Sequence, residues 1–255
     1  MKSLSDWLQT PPGQYLLAWE QAQLDESVAN IFGFHGLQLG LPQVNALSAN
    51  RMPQRWLALN APAVSPPDLL CDFSALPFFE ASLDLVVMPH TLELTTDPHA
   101  ALREAARVLM PEGRLVITCF NPNSWWGLRQ SLSSQLARLG WSEPFVPATG
   151  EWLGAWRLRD WLQLLNFEVE STVFGCYRPA VNQQGWLEHT AYWDRWGPRC
   201  WPILGAVYCL VAVKKVHGMR LLGPAWKKPA LAAASPRASG LPAARQESDR
   251  RAPFL

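Results

Sequence analysis

At 255 residues, 49% of them apolar and 17% charged, the chain has enough material for one large α/β domain or two small ones and is neither disordered nor fibrous. Twenty-two basic against 21 acidic side chains leave a formal charge of +1, without the cationic excess of a protein that clamps a polyphosphate backbone. Five scattered cysteines, Cys71, Cys119, Cys176, Cys200 and Cys209, show no C-x-x-C spacing and no nearby His pair, so no metal site or disulfide framework is expected.

The opening MKSLSDWLQTPPG meets Ser, Asp and Pro before any apolar stretch of seven residues, so no secretory signal is expected and a cytoplasmic location is. In residues 1–34, Trp7, Leu8, Tyr15, Leu16, Leu17, Trp19 and Leu24 are interrupted by Pro11, Pro12 and Gly13, which predicts two short helical segments lying across an edge of the core. From residue 35 short runs rich in Leu and Val alternate with helical patterns. Strands are predicted at 35–41, 55–61, 67–73, 83–89 and 114–120, and their near-continuous apolar content implies burial on both faces of a parallel sheet. Asp97 as N-cap and Pro98 at the first position open a helix whose Leu102, Ala105, Val108 and Leu109 share one face, stopped by Pro111 and Gly113. A polar and aromatic stretch over 121–150 precedes a helix around 158–165 and a strand at 166–177. A Trp-rich insertion at 179–202 precedes the final strand at 204–215, and two closing strands suggest an antiparallel end to the sheet. The longest apolar run, around 203–213, is about half a bilayer span. The last 27 residues, with eight Ala, four Pro and four Arg, read as a loose tail that carries the basic excess.

The order CDFSALPF (71–78), SLDLVV (82–87) and DPHAALREAARVLMPEGRLVITCFNP (97–122) closely resembles the second half of the class I S-adenosylmethionine-dependent methyltransferase domain, of the type 11 kind. GFHGLQLG (33–40), DPH (97–99) and FNP with GLR (120–129) further resemble a bacterial methyltransferase-like group. The resemblance implies a three-layer α/β/α Rossmann-like fold with a seven-stranded, mostly parallel sheet of order 3-2-1-4-5-7-6, strand seven antiparallel. The expected organisation is a helical segment 1–29 on the core, a methyltransferase-like domain 30–217 and an extension 218–255, disordered from about 229.

In an open parallel sheet, ligands bind outside the carboxyl ends of the strands. The resemblance therefore assigns Gln38, Gly40, Asn60, Asp72 and Phe73 to the S-adenosyl-L-methionine cofactor, with Asp72 meeting the adenine amino group or else only capping a turn. His90 and Asn121, after strands four and five, are the residues expected to face the acceptor. His90 is either a base or acceptor contact or a packing residue on the following helix, and Asn-Pro at 121–122 equally suits a turn. Trp186, Tyr192, Trp193, Trp196 and Trp201 are read as a lid, or as core or a dimer surface.

Two motifs depart from the family pattern. The glycine-rich loop after strand one keeps Gly40 but has Pro42 for its second glycine and Gln38 for its acid, and the ribose-binding acid after strand two is Asn60, whose neutral amide should bind about 1 kcal/mol less well. The expected function is methyl transfer from S-adenosylmethionine to an unidentified, small-molecule acceptor. The alternative is a catalytically inactive binding or scaffolding protein of the same fold. No nucleic-acid or membrane signal is read in the sequence.

Overall fold

The computed structural model describes residues 4–62, 66–138, 144–147, 150–181 and 183–215. The chain divides into two units, Met1–His217 and Gly218–Leu255. The extension and tail expected over 218–255 lie outside the described residues.

Seven strands form one sheet: β1 (His35–Leu39), β2 (Gln54–Leu59), β3 (Leu69–Leu70), β4 (Leu83–Pro89), β5 (Leu109–Phe120), β6 (Phe167–Gly175) and β7 (Val207–Lys214). Their order is β3-β2-β1-β4-β5-β7-β6. The first five are parallel, and β7 runs antiparallel to both β5 and β6. Order and directions are those expected. β3 is much shorter than the apolar run 67–73, because the Asp72 carboxylate accepts the Ser74 N–H and turns the chain out of the ladder.

The expected pair of short N-terminal helices is instead α1 (Leu4–Leu8) followed by a 19-residue α2 (Pro11–Ala29). Pro11 and Pro12 occupy the first turn, where a missing N–H breaks no helical bond. Gly13 lets the two helices touch: a Cβ there would lie 2.4 Å from Trp7 O. Nor do these helices lie across an edge. Trp7, Leu8, Leu16, Leu24 and Val28 pack on the face of the sheet, in one cluster with Val87, Val116, Val207 and Cys209. A buried Leu contributes about 1.5–3 kcal/mol, so this helix is part of the core.

The opposite face is covered by α4 (Pro98–Val108) and α6 (Ala155–Leu164), whose Leu102, Ala105, Leu158 and Leu162 meet Leu37, Leu39, Leu115 and Ile117. Asp97 caps α4 by accepting from Ala100 N at 2.9 Å. The helix ends at Val108, and Pro111 and Gly113 fall within β5 instead. The polar stretch after β5 contains a helix absent from the sequence reading, α5 (Trp125–Arg138), started by Ser124 Oγ accepting the Gly127 N–H at 3.0 Å. The remaining helices are α3 (Thr91–Leu94) and, within the insertion, α7 (Gln184–His189) and α8 (Tyr192–Cys200).

Candidate functional site

The carboxyl ends of β1, β2 and β3 open into a cleft of about 1050 Å³, bordered by Gly40–Gln43, Leu59–Pro62, Phe73 and Leu94 and closed on one side by Leu4, Ser5, Asp6 and Gln9 of the α1 region. Gly40 turns the chain at φ 76°, a left-handed conformation costly to any side chain, and a Cβ there would lie 3.4 Å from Thr91 Oγ1. Leu41, at φ 40°, follows in the same region. Leu41 and Pro42 line the cleft without filling it.

Three of the five residues expected around the cofactor, Gly40, Asn60 and Phe73, meet in this cleft. Gln38 does not line it. Its buried amide donates to the carbonyls of Gly40, Leu41 and Val44, at 3.3, 3.1 and 2.8 Å, and accepts from Ala46 N at 2.9 Å. An acid could only accept. An amide can satisfy the carbonyls of a loop that has lost a glycine. Asp72 stands exposed next to Phe73, and the Ser74 N–H it accepts holds its carboxyl below the usual range. It caps a turn and does not line the cleft. Asp6 is the one ionisable side chain lining the cleft among the described residues. Its place there depends on how α1 docks, for which the sequence carries no signal.

His90 does not face an open acceptor site. It follows β4 at φ 51°, is 0% exposed, and lies between two buried carboxylates: Nε2 is 2.8 Å from Glu20 Oε1 and Nδ1 is 2.6 Å from Glu93 Oε2. Glu93 Oε1 also accepts the Phe120 N–H at 2.6 Å, which ties the end of β4 to the end of β5. Phe120 packs on the imidazole with ring centroids 4.2 Å apart, and Trp152 stacks on Phe120 at 4.7 Å. Burial alone would push the imidazole down, but Glu20 and Glu93 outweigh it and raise it to about 10. Burial likewise pushes the Glu93 carboxyl up, against its bonds to His90 and Phe120. The proton therefore stays on the imidazole at neutral pH, a poor state for a base. Glu93 of α3 and Glu20 of α2 complete this cluster. The signal was available for Glu20, since Pro12, Leu16, Glu20, Leu24 and Val28 form a row of spacing four with one carboxylate in it.

Asn121 is also engaged away from an acceptor. Its amide donates to Ile203 O and Gly205 O, at 2.8 and 2.9 Å, and accepts from Asn123 N at 3.1 Å, clamping the exit of β5 to the approach to β7. The aromatic insertion, read as a lid or as core or a dimer surface, does not line the cleft. It is anchored on α2 and the end of β6, where Asp194 accepts from Tyr15 Oη and pairs with Arg178 Nε at 2.8 Å. A second cavity, about 550 Å³, adjoins the cleft through Leu94 and is lined by Leu92, Thr95, Thr96, His99, Leu153, Arg157 and Trp161 among others.

Residues 44–117 match a family model described as a methyltransferase domain. The chain is 36% identical over 166 residues to the uncharacterized protein YafS of Escherichia coli K12, a match covering 64% of this chain and 65% of that protein, just under two thirds of its length. Among solved structures, a SAM-dependent methyltransferase of Thermotoga maritima superposes with a TM-score of 0.56 at 16% identity, covering 77% of this chain and 89% of that one. A chain from the Haloferax volcanii complex of the Trm112 methyltransferase activator superposes with a TM-score of 0.54 at 18% identity, covering 84% and 96% respectively. These two likenesses show the fold. Residues 44–117 thus carry a match to a methyltransferase domain, and the seven-stranded topology is that of the methyltransferase fold.

Proposed function

We propose that the chain binds S-adenosylmethionine in the cleft at the ends of β1, β2 and β3 and transfers its methyl group to an acceptor held next to it. The observation that carries this reading is the open cleft itself, kept clear at Gly40 where the family's glycine loop is otherwise altered. The residues present fit the cofactor. Phe73 offers an apolar wall for a flat base, Asn60 an amide for a hydroxyl, and Asp6 a carboxylate for a cationic group. Asp6 thus restores from α1 a negative charge that the sequence lacks at Gln38 and Asn60.

When bound, S-adenosylmethionine supplies a methyl group on a sulfonium, which leaves by in-line displacement, so positioning contributes much of the catalysis. In this chain the Glu20, His90 and Glu93 cluster fixes the turn after β4, and Thr91 of that turn donates to Leu39 O at 2.5 Å, beneath Gly40. The neighbouring cavity at Leu92 to Thr96 is the proposed acceptor side, with Trp161 and His99, whose rings pack 3.6 Å apart, as a flat wall. With His90 enclosed and protonated, a proton that the acceptor must lose is not taken by His90.

Calorimetric titration with S-adenosylmethionine and S-adenosylhomocysteine tests the reading. Saturable heat is expected from both, reduced on the order of tenfold in Asp6→Asn because a charge-assisted contact is lost. The absence of heat or thermal shift at millimolar cofactor refutes it and leaves a non-catalytic module of this fold.

A further inference from the structure

The insertion between β6 and β7 carries helix α8 with large aromatic side chains exposed. Helix α8 packs by one face only. Gly197 is buried so closely against the Tyr177 ring that a Cβ would lie 2.3 Å from its Cγ, and Asp194 is held by Tyr15, Arg178 and the Tyr177 N–H. These anchors fix which face is turned outward. Tyr192, Arg195, Trp196 and Arg199 fall at i, i+3, i+4 and i+7 on one helical stripe, and all four are exposed. Tyr192 is 61% and Trp196 60% exposed, and the chain leaving the helix adds Trp201 at 48% and Ile203 at 55%.

A solvated helix face does not ordinarily present this much aromatic surface. Trp and Tyr beside arginine are the side chains that settle at the boundary between lipid headgroups and acyl chains, where ring and charge are both accommodated. Neither Arg195 nor Arg199 has an acidic partner among the described residues, and Asp194, the acid of this helix, is committed inward. The face is therefore cationic and aromatic together. Two-fold pairing with a second copy would set these arginines near their own equivalents without a carboxylate on the face to answer them. An anionic surface answers both features at once.

We propose that the outward stripe of α8, continued by Trp201 and Ile203, docks this protein on an anionic lipid surface. No described helix is long and apolar enough to cross a membrane, so the attachment is peripheral. The insertion leaves β6 at Gly175 and enters β7 at Val207, the residue paired with Phe120 at the end of β5. Docking thus occurs at the sheet end that carries the cleft. The inference rests on the surface alone and stands whether or not methyl transfer is the activity.

The test is flotation of the full chain with vesicles of phosphatidylcholine alone and with about one third phosphatidylglycerol, followed by Trp fluorescence. Expected are binding to the anionic vesicles, a blue shift, and weakening by salt. Arg195→Ala with Arg199→Ala should lower affinity on the order of 30-fold, and Trp196→Ala with Trp201→Ala should abolish the blue shift. Thermal melts establish that the exposed-site variants remain folded. Wild-type protein that fails to float with anionic vesicles, or floats as well after the substitutions, overturns the proposal. So does light scattering that shows a lipid-free dimer dissociated by Trp196→Ala with Trp201→Ala, which would make the face a contact between copies. Cofactor titration of the same variants should be unchanged, which separates failure of this inference from failure of the cofactor reading.

Discussion

Replacing His90 with Gln removes the cation that joins α2 to the ends of β4 and β5. In the intact protein the imidazole lies 2.8 Å from Glu20 and 2.6 Å from Glu93, and none of the three side chains is more than 1% exposed. Glutamine keeps a polar end and comparable bulk but leaves two buried carboxyl groups without a counter-charge. The rise of the imidazole from 6.5 to about 10 corresponds to roughly 5 kcal/mol of preference for its charged form. Breaking a buried pair by removing one partner costs about 3–5 kcal/mol, in the same range. At about 2–4 °C per kcal/mol for a chain of this size, the midpoint of thermal unfolding should fall on the order of 10 °C. Glu20→Gln should cost less. It removes a carboxyl that meets Nε2 as an ion pair at 2.8 Å but makes no hydrogen bond through either oxygen among the described residues, and leaves His90 bonded to Glu93 alone. Melts followed by circular dichroism at pH 6 measure both variants. A His90→Gln protein as stable as the parent, or a Glu20→Gln protein less stable than His90→Gln, would refute the assignment of the imidazole as the shared cation.

The pH dependence of stability has a definite sign. Because folding raises the imidazole, its contribution is complete below 6.5 and is lost as the pH rises toward about 10. Glu93, raised by burial, adds a loss in the same direction that begins above 4.5. By NMR the His90 ring should remain protonated through neutral pH and titrate lower in Glu20→Gln; a parent ring titrating near 6.5 contradicts this. Gly40→Ala, forced to φ 76°, should destabilise by about 1–2 kcal/mol and weaken S-adenosylmethionine, and titration showing full affinity would free the cleft from this turn. Asn121→Ala strands the Ile203 and Gly205 carbonyls and should lower stability by about 1–3 kcal/mol with cofactor affinity retained; a loss of affinity without loss of stability would return Asn121 to the binding surface.

Legibility in the sequence followed the range of the forces involved. The apolar run 83–89 coincides with β4, and Asp97-Pro98 marks the start of α4, because side-chain alternation and capping act over a few residues. α5 was missed because its starting signal, Ser124, precedes two tryptophans and a glycine that resemble a loop. Pro11 and Pro12 read as breaks because the pattern does not say which proline stands in a first turn. At the site, Gly40, Asn60 and Phe73 were legible from the family resemblance, whereas the direction of each polar side chain was not. Gln38 and Asn121 turn inward to satisfy carbonyls, and Asp72 turns outward to cap a turn.

Local pattern and composition by themselves determined the alternation of strands and helices, and hence a sheet whose carboxyl ends carry a cleft. Tertiary packing decided the rest. It set Glu20, 70 residues distant in sequence, against His90, brought Asp6 of α1 to the cleft, and turned the aromatics of α8 outward. The physical reason is that hydrophobic burial has no direction of its own. Where a carboxylate, an imidazole or a tryptophan ends up depends on which distant surfaces meet, and short-range sequence carries no record of that meeting.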